Sequence, residues 1–189
     1  MKRIAIFASG NGSNAENIVK YFKKSNTIKV ELIASNNPDA GVIDRVKKHD
    51  IKTFVFDKTA LTNGKVLKEL KFQKIEFIVL AGFLLKIPKI IIQSYLGKII
   101  NIHPSLLPLY GGKGMYGMRV HEKVAESKDL ESGITIHFVN SIYDAGAIIF
   151  QAKCALYYNI KAKEIQKKVH KLEIKFFPRI IKNLLDVKN

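Results

Sequence analysis

Cysteine is nearly absent from the 189 residues, and Cys154 stands alone. A single thiol closes no internal disulfide and, without ligand neighbours, holds no structural metal, so the chain must fold on its apolar core and suits a reducing compartment. Cys154 itself is expected to be buried apolar filler, and no metal is expected. Tryptophan is missing and prolines number five, which excludes proline-rich and collagen-like chains. Long apolar runs are missing too. Phe77-Ile78-Val79-Leu80-Ala81-Gly82-Phe83-Leu84-Leu85 and Ile90-Ile91-Ile92 fall well short of the roughly 18 residues that cross a bilayer. Met1-Lys2-Arg3-Ile4 runs straight into a strand-like segment with no small-residue cleavage site, so no leader is expected, no membrane partner, and a cytoplasmic location.

Acidic residues are scarce beside basic ones, 16 against 32, for a formal net charge of +16. Such a field attracts phosphates, polyanionic cofactors or nucleic acid. Only Arg3, Arg45, Arg119 and Arg179 are arginine, and base readout favours arginine's fork over lysine's point charge, so no nucleic-acid partner is expected. Lysine pairs such as Lys23-Lys24 and Lys167-Lys168 read equally well as compositional bias. The charge thus has two open readings, a polyanion-binding surface or a bias without function.

What is present is an ordinary globular mixture, 47% apolar and 25% charged, of a length that suits one domain spanning residues 1–189. Residues 2–8 read as a buried strand, then a glycine-rich turn opens a helical pattern running to about Lys24. Strand and helix patterns alternate from there: strands at 30–34, 53–56, 77–80 and 98–102, helices at 42–49, 65–71 and after Pro88. That alternation predicts an α/β fold with a mostly parallel sheet and helices on both faces. After a glycine- and proline-rich loop at 104–118 come a helix at 120–127 and two strands, 133–139 and 147–155, whose short connection predicts an antiparallel hairpin. A last helical pattern, 161–187, carries Ile165, Val169, Leu172 and Phe176 at helical spacing and should break or bend at Pro178.

Two stretches carry chemistry. Gly10-x-Gly12-x-x-Ala15 has the spacing of a dinucleotide loop, but the second strand ends in Ser35-Asn36-Asn37, without the acidic residue that would hold a ribose, which demotes a nicotinamide cofactor. A single-phosphate site remains, on the backbone amides of Gly12, Ser13 and Asn14, with helix capping by Ser13 or Asn14 as the plain structural alternative. A Cβ at Gly12 is expected to crowd that phosphate. Asn101-Ile102-His103 is stopped by Pro104, so Asn101 and His103, two apart, share one face of a strand at the carboxyl rim of the sheet. Together they suit a developing oxyanion. Asp144, in the turn between the late strands, is the carboxylate candidate to orient His103 and keep it protonated. A satisfied structural histidine is the alternative at this point.

Ser9-Gly10-Asn11-Gly12-Ser13-Asn14, Leu80-Ala81-Gly82-Phe83, Asn101-Ile102-His103-Pro104-Ser105-Leu106-Leu107-Pro108, and His137-Phe138-Val139 with Asp144-Ala145-Gly146 together resemble the phosphoribosylglycinamide formyltransferase branch of the folate-dependent formyltransferases, over nearly the whole chain. The resemblance implies a Rossmann-like formyltransferase fold and transfer of the formyl group of 10-formyltetrahydrofolate, a co-substrate, to the amine of glycinamide ribonucleotide in purine synthesis. It implies small-molecule partners and a monomer or weak homodimer. Asn101, His103 and Asp144 would be catalytic. Gly12, Ser13, Asn14 and Glu173 would bind the nucleotide, the last through its ribose. The pterin would lie against Leu84, Leu85, Ile87, Ile92, Ile99, Val139, Asn140, Ser141 and Tyr143. Two departures stand out: Leu85 occupies a place where some members carry arginine, and the loop Tyr110-Gly111-Gly112-Lys113-Gly114-Met115-Tyr116-Gly117-Met118 looks expanded. Related formyltransferases with an added domain at either end are expected not to apply at this length.

Overall fold

The apolar run of β1 (Lys2–Phe7) is buried on both sides, as expected of a strand covered by helices front and back. In the computed structural model, which describes residues 1–186, Ile4 and Ile6 enter one core and Ala5 and Phe7 the other. Six further strands join it: β2 (Ile28–Ser35), β3 (Lys52–Val55), β4 (Phe77–Leu80), β5 (Ile99–His103), β6 (Glu131–Phe138) and β7 (Ile148–Ala155). Their spatial order is β3-β2-β1-β4-β5-β6-β7. The first five are mutually parallel, whereas β6 is antiparallel to both β5 and β7, so the expected parallel sheet with a late hairpin is what forms.

One face is covered by α1 (Ser13–Phe22), α2 (Gly41–Lys47), α6 (Met118–Ser127) and α7 (Ala162–Asp186). The other takes α3 (Lys58–Thr62), α4 (Lys65–Phe72) and α5 (Lys89–Ser94). Helix α3 went unread in the sequence because a five-residue element shows no periodicity. Its signal is local: Asp57 Oδ1 accepts from the Ala60 amide at 2.6 Å, an N-cap.

Pro178 does not break α7, which runs 25 residues through it. Phe177, Pro178 and Ile181 are all buried there, so core packing outweighs the lost amide donor. Val187, read as the end of this helix, lies outside the described residues. Cys154 is only partly buried and packs against the edge of the core from β7.

Chain order makes a crevice. From β1 the chain moves to β2 on one side, while β4 flanks β1 on the other, so the loops after β1 and β4 diverge at the carboxyl rim. They are tied across it: the Ser9 amide donates to Gly82 O at 3.0 Å and the Leu84 amide to Ser9 Oγ at 2.9 Å.

A charged clamp holds the helices on the glycine-loop side of this rim. Glu16 of α1, its side chain only 8% exposed, receives Lys48 at 2.8 Å, Lys20 at 3.0 Å and Arg45 at 3.2 Å. Hydrogen bonds from Lys48 and Lys20, against the opposing effect of burial, hold its carboxyl down at about 2. Arg45 Nε also donates to Asn11 O at 2.8 Å, so the clamp reaches the glycine loop. Its stabilisation exists above the ordinary carboxylate range and is lost as pH falls toward about 2. Glu16→Gln should lower stability near neutral pH by about 1 to 2 kcal/mol, three partly exposed and screened pairs being involved. Urea unfolding checks this, and an unchanged midpoint would show that the clamp is not stabilising.

Candidate active site

On β5 and β6 the period of two separates apolar from polar residues. Ile100, Ile102, Ile134 and Ile136 pack into the core, which leaves Asn101, His103, Thr135 and His137 on the opposite face. The antiparallel register sets Asn101 opposite His137 and His103 opposite Thr135. His137 was quoted in the sequence but given no role. Its alternation with Thr135 is the signal that marks it.

Antiparallel pairing also carries the end of β6 away from the rim, since the Val139 amide donates to Ile99 O at the start of β5. The turn that follows doubles back along the sheet. Asn140 holds it by accepting from the Ile142 amide at 2.9 Å and donating to Ala145 O at 3.1 Å, and Asp144 takes a left-handed φ of 53°, a conformation that aspartate tolerates better than most residues. By this route Asp144 Oδ2 comes within 3.6 Å of His103 Nδ1 and Oδ1 within 3.6 Å of His137 Nε2. The expanded loop contributes as well: the Gly112 amide donates to Asp144 Oδ2 at 2.9 Å. Gly111 permits this approach, because a Cβ there would meet the Leu107 side chain at 2.5 Å and Asp144 Cβ at 3.3 Å.

Hydrogen bonds to carbonyls fix both imidazoles. His103 Nε2 donates to Tyr110 O at 2.8 Å and His137 Nδ1 to Phe138 O at 2.8 Å. His137 Nε2 lies 3.1 Å from the Asn101 side-chain nitrogen, and His103 presents Nδ1 toward Asp144. Burial pushes the His103 imidazole below its ordinary value, and the Asp144 charge offsets this only in part. Against the expectation that the carboxylate keeps His103 protonated stands this desolvation, which outweighs a partner 3.6 Å away. Burial alone would raise Asp144, but His137, His103 and the Gly112 amide bring it below the usual carboxylate range.

A cavity of about 990 Å³ opens over these groups and extends to the glycine loop and α7. At its far end Gly12 adopts a φ of 80° at the start of α1, with no side-chain cap, so Ser13 and Asn14 are not the capping residues. Their amides have no intrahelical acceptor and remain available to a ligand. A Cβ at Gly12 would sit 2.5 Å from Val42 Cα. The obstruction that a side chain meets there is helix α2, so the loop's shape is set by packing as well as by any phosphate. Asn14 Nδ2 and His170 Nδ1 both lie 2.9 Å from Glu173 Oε2, which joins α1 to α7 at the cavity wall.

Of the residues assigned to the pterin, Leu84, Leu85, Ile87, Val139, Asn140 and Tyr143 border the cavity. Ile92 and Ile99 are buried in the core behind it, Ile99 because it stands two residues toward the amino end of β5, about 7 Å below Asn101. Ser141 is exposed on the turn. Arg45, Tyr116 and His121 also line the cavity and had no signal in spacing. Among the described residues no helix is long and apolar enough to cross a membrane, and no group of three or more His, Cys, Asp or Glu side chains could hold a metal.

A Rossmann-like sheet whose rim joins an amide, imidazoles and a carboxylate to a phosphate-sized loop defines a class, the group-transfer enzymes acting on phosphorylated substrates. The family model described as "Formyl transferase" matches residues 2–181. Bacillus subtilis phosphoribosylglycinamide formyltransferase is 38% identical over 197 aligned residues, covering 100% of this chain and 97% of that protein. The Haemophilus influenzae enzyme of the same name is 33% identical over 96% of this chain and 86% of its own. The crystal structure of glycinamide ribonucleotide transformylase 1 from Geobacillus kaustophilus superposes with a TM-score of 0.89 at 32% identity, covering 98% of this chain and 99% of that one. The chain belongs to the formyl transferase family, in its phosphoribosylglycinamide formyltransferase branch.

The cavity predicts an acid sensitivity. Burial lowers the His121 imidazole from its ordinary 6.5 to about 4. Between those values the unfolded chain binds a proton that the folded chain refuses, so stability falls as pH falls, by up to about 3 kcal/mol. On passing from about pH 7 to about pH 5, His121→Leu should lose less stability than wild type in urea unfolding. An equal loss would assign the acid sensitivity elsewhere.

Proposed function

We propose that the protein transfers the formyl group of 10-formyltetrahydrofolate to the amine of glycinamide ribonucleotide. The amine nitrogen attacks the formyl carbon, a C–N bond forms, the bond to the folate N10 breaks, and the proton leaving the amine is delivered to N10. The observation that carries this reading is one cavity holding a phosphate-sized amide loop at one end and Asn101, His103 and Asp144 further in.

Each group has work suited to its geometry. The Asn101 amide and a protonated His103 would stabilise the oxyanion of the tetrahedral intermediate. Asp144, 3.6 Å from His103 Nδ1, would stabilise the imidazolium as negative charge develops on the formyl oxygen and guide the amine proton toward N10, bridged by water. The amides of Ser13 and Asn14 would take the substrate phosphate at the positive end of α1, and Glu173 a ribose hydroxyl. Leu84, Leu85, Ile87 and Val139 would supply apolar contacts to the pterin, with Tyr143 at the mouth.

Asp144→Asn should reduce turnover by at least tenfold, about 1.4 kcal/mol, while nucleotide affinity stays within about twofold, because the carboxylate acts in the transition state. Steady-state kinetics with both substrates varied decides this, and retention of more than about a tenth of the rate removes Asp144 from the reaction. Asn14→Asp tests the nucleotide end. It sets a second carboxylate against Glu173 and against a bound phosphate, so glycinamide ribonucleotide should bind about tenfold or more weakly. Calorimetric titration should show folate binding unchanged; equal weakening of both ligands in a folded variant would contradict the placement.

A further inference from the structure

His121 is an unusual residue to bury on a helix. It lies on the inward face of α6 with Val120 and Val124, is 3% exposed, and borders the cavity. Its Nδ1 is shut away from solvent with no hydrogen-bond partner. Other imidazoles of the site are satisfied: His103 on Tyr110 O, His137 on Phe138 O, His170 on Glu173. A buried polar nitrogen without a partner is destabilising, and an apolar residue would complete this helix face at lower cost. The side chain is therefore kept for something that the protein alone does not supply.

Its position indicates what that is. It lines the same cavity as Glu173 on α7 and His103 on β5, and both act on its imidazole electrostatically; one is the carboxylate assigned to the ribose and the other the imidazole assigned to the formyl carbon. In glycinamide ribonucleotide the group linking the ribose to the reacting end is the glycinamide unit, a secondary amide ending in the attacking amine. We propose that His121 contacts this amide and is a substrate-binding residue that aims the amine at the formyl carbon. A neutral imidazole has one donor and one acceptor, and an amide has the complementary pair. Burial supports this by holding the ring uncharged, with its pKa near about 4. The inference rests on the function proposed above.

The test separates the amide from the rest of the nucleotide. Ribose 5-phosphate carries the phosphate and the sugar without the glycinamide. Wild type, His121→Leu and His121→Asn should be titrated calorimetrically with glycinamide ribonucleotide and with ribose 5-phosphate, alongside thermal unfolding. His121→Leu should weaken glycinamide ribonucleotide by about tenfold or more and ribose 5-phosphate by no more than about twofold, erasing most of the preference between them. His121→Asn keeps a donor and an acceptor and should recover part of that preference. In kinetics, KM for the nucleotide should rise while KM for the folate does not. Thermal stability of His121→Leu should be equal or higher, since an unpartnered polar group has gone; were it to unfold, His121→Phe carries the same comparison. Equal weakening of both ligands, or of neither, in a folded variant would overturn the proposal. A wild-type protein that binds ribose 5-phosphate but gains nothing from the glycinamide would overturn it too, whereas binding of neither ligand would remove the function on which it rests.

Discussion

The antiparallel pairing of β5 with β6 is the constraint on which the site depends. It sets an asparagine opposite a histidine and another histidine opposite a threonine, so four polar side chains share one face while four isoleucines hold the other face to the core. It also sends the end of β6 the wrong way for a ligand at the carboxyl rim. The 139–147 turn has to return, and the Asn140 hydrogen bonds together with the left-handed Asp144 backbone are what return it. A parallel β6 would put its following loop at the rim without such a turn, but would not bring His137 into register with Asn101.

Burial and charge oppose one another at that face, and the outcome differs between partners. His103 loses more to desolvation than it gains from Asp144, so its imidazole lies below the ordinary value. Asp144 gains more from two imidazoles and an amide than burial takes from it, so it rests charged. The asymmetry follows from reach: the carboxylate has a 2.9 Å amide contact in addition to the imidazoles, whereas the free nitrogen of His103 has only the 3.6 Å approach. The carboxylate is thereby held in its charged form beside two imidazoles, an arrangement able to guide a proton.

The sheet's strands and most helices were legible because both signals involved are local: buried runs for parallel strands, 3.6-residue spacing for helices. The Asn101–His103 pair was legible for the same reason, since side-chain alternation and a following Pro104 are enough to aim it. What escaped reading depends on contacts distant in sequence. His137 matters through register with Asn101, 36 residues away. Helix α7 survives Pro178 because the core surrounds it. Ile92 and Ile99 have the character of a pterin wall but stand too far down the strand and the helix to reach the cavity, and no spacing rule carries depth. The direction in which His103 is shifted escaped reading because a neighbouring carboxylate is visible in a sequence and a desolvation penalty is not.

The glycine loop shows how one residue serves the fold and the site together. Gly12 must be glycine for its φ of 80° and because α2 leaves no room for a Cβ, so replacing it disturbs the α1–α2 contact whether or not phosphate is bound. The same contact is held on its polar side by Glu16, whose partner Arg45 fixes the Asn11 carbonyl. Amides at the start of α1 are thereby presented by two helices locked against each other, and Asn14 carries the lock on to Glu173 of α7. With α6 packed on α7, the unpartnered His121 lines the same cavity as the glycine loop and Asp144. The wall of that cavity therefore owes its shape to helices locked against one another through short hydrogen bonds and ion pairs, and not to long flexible side chains.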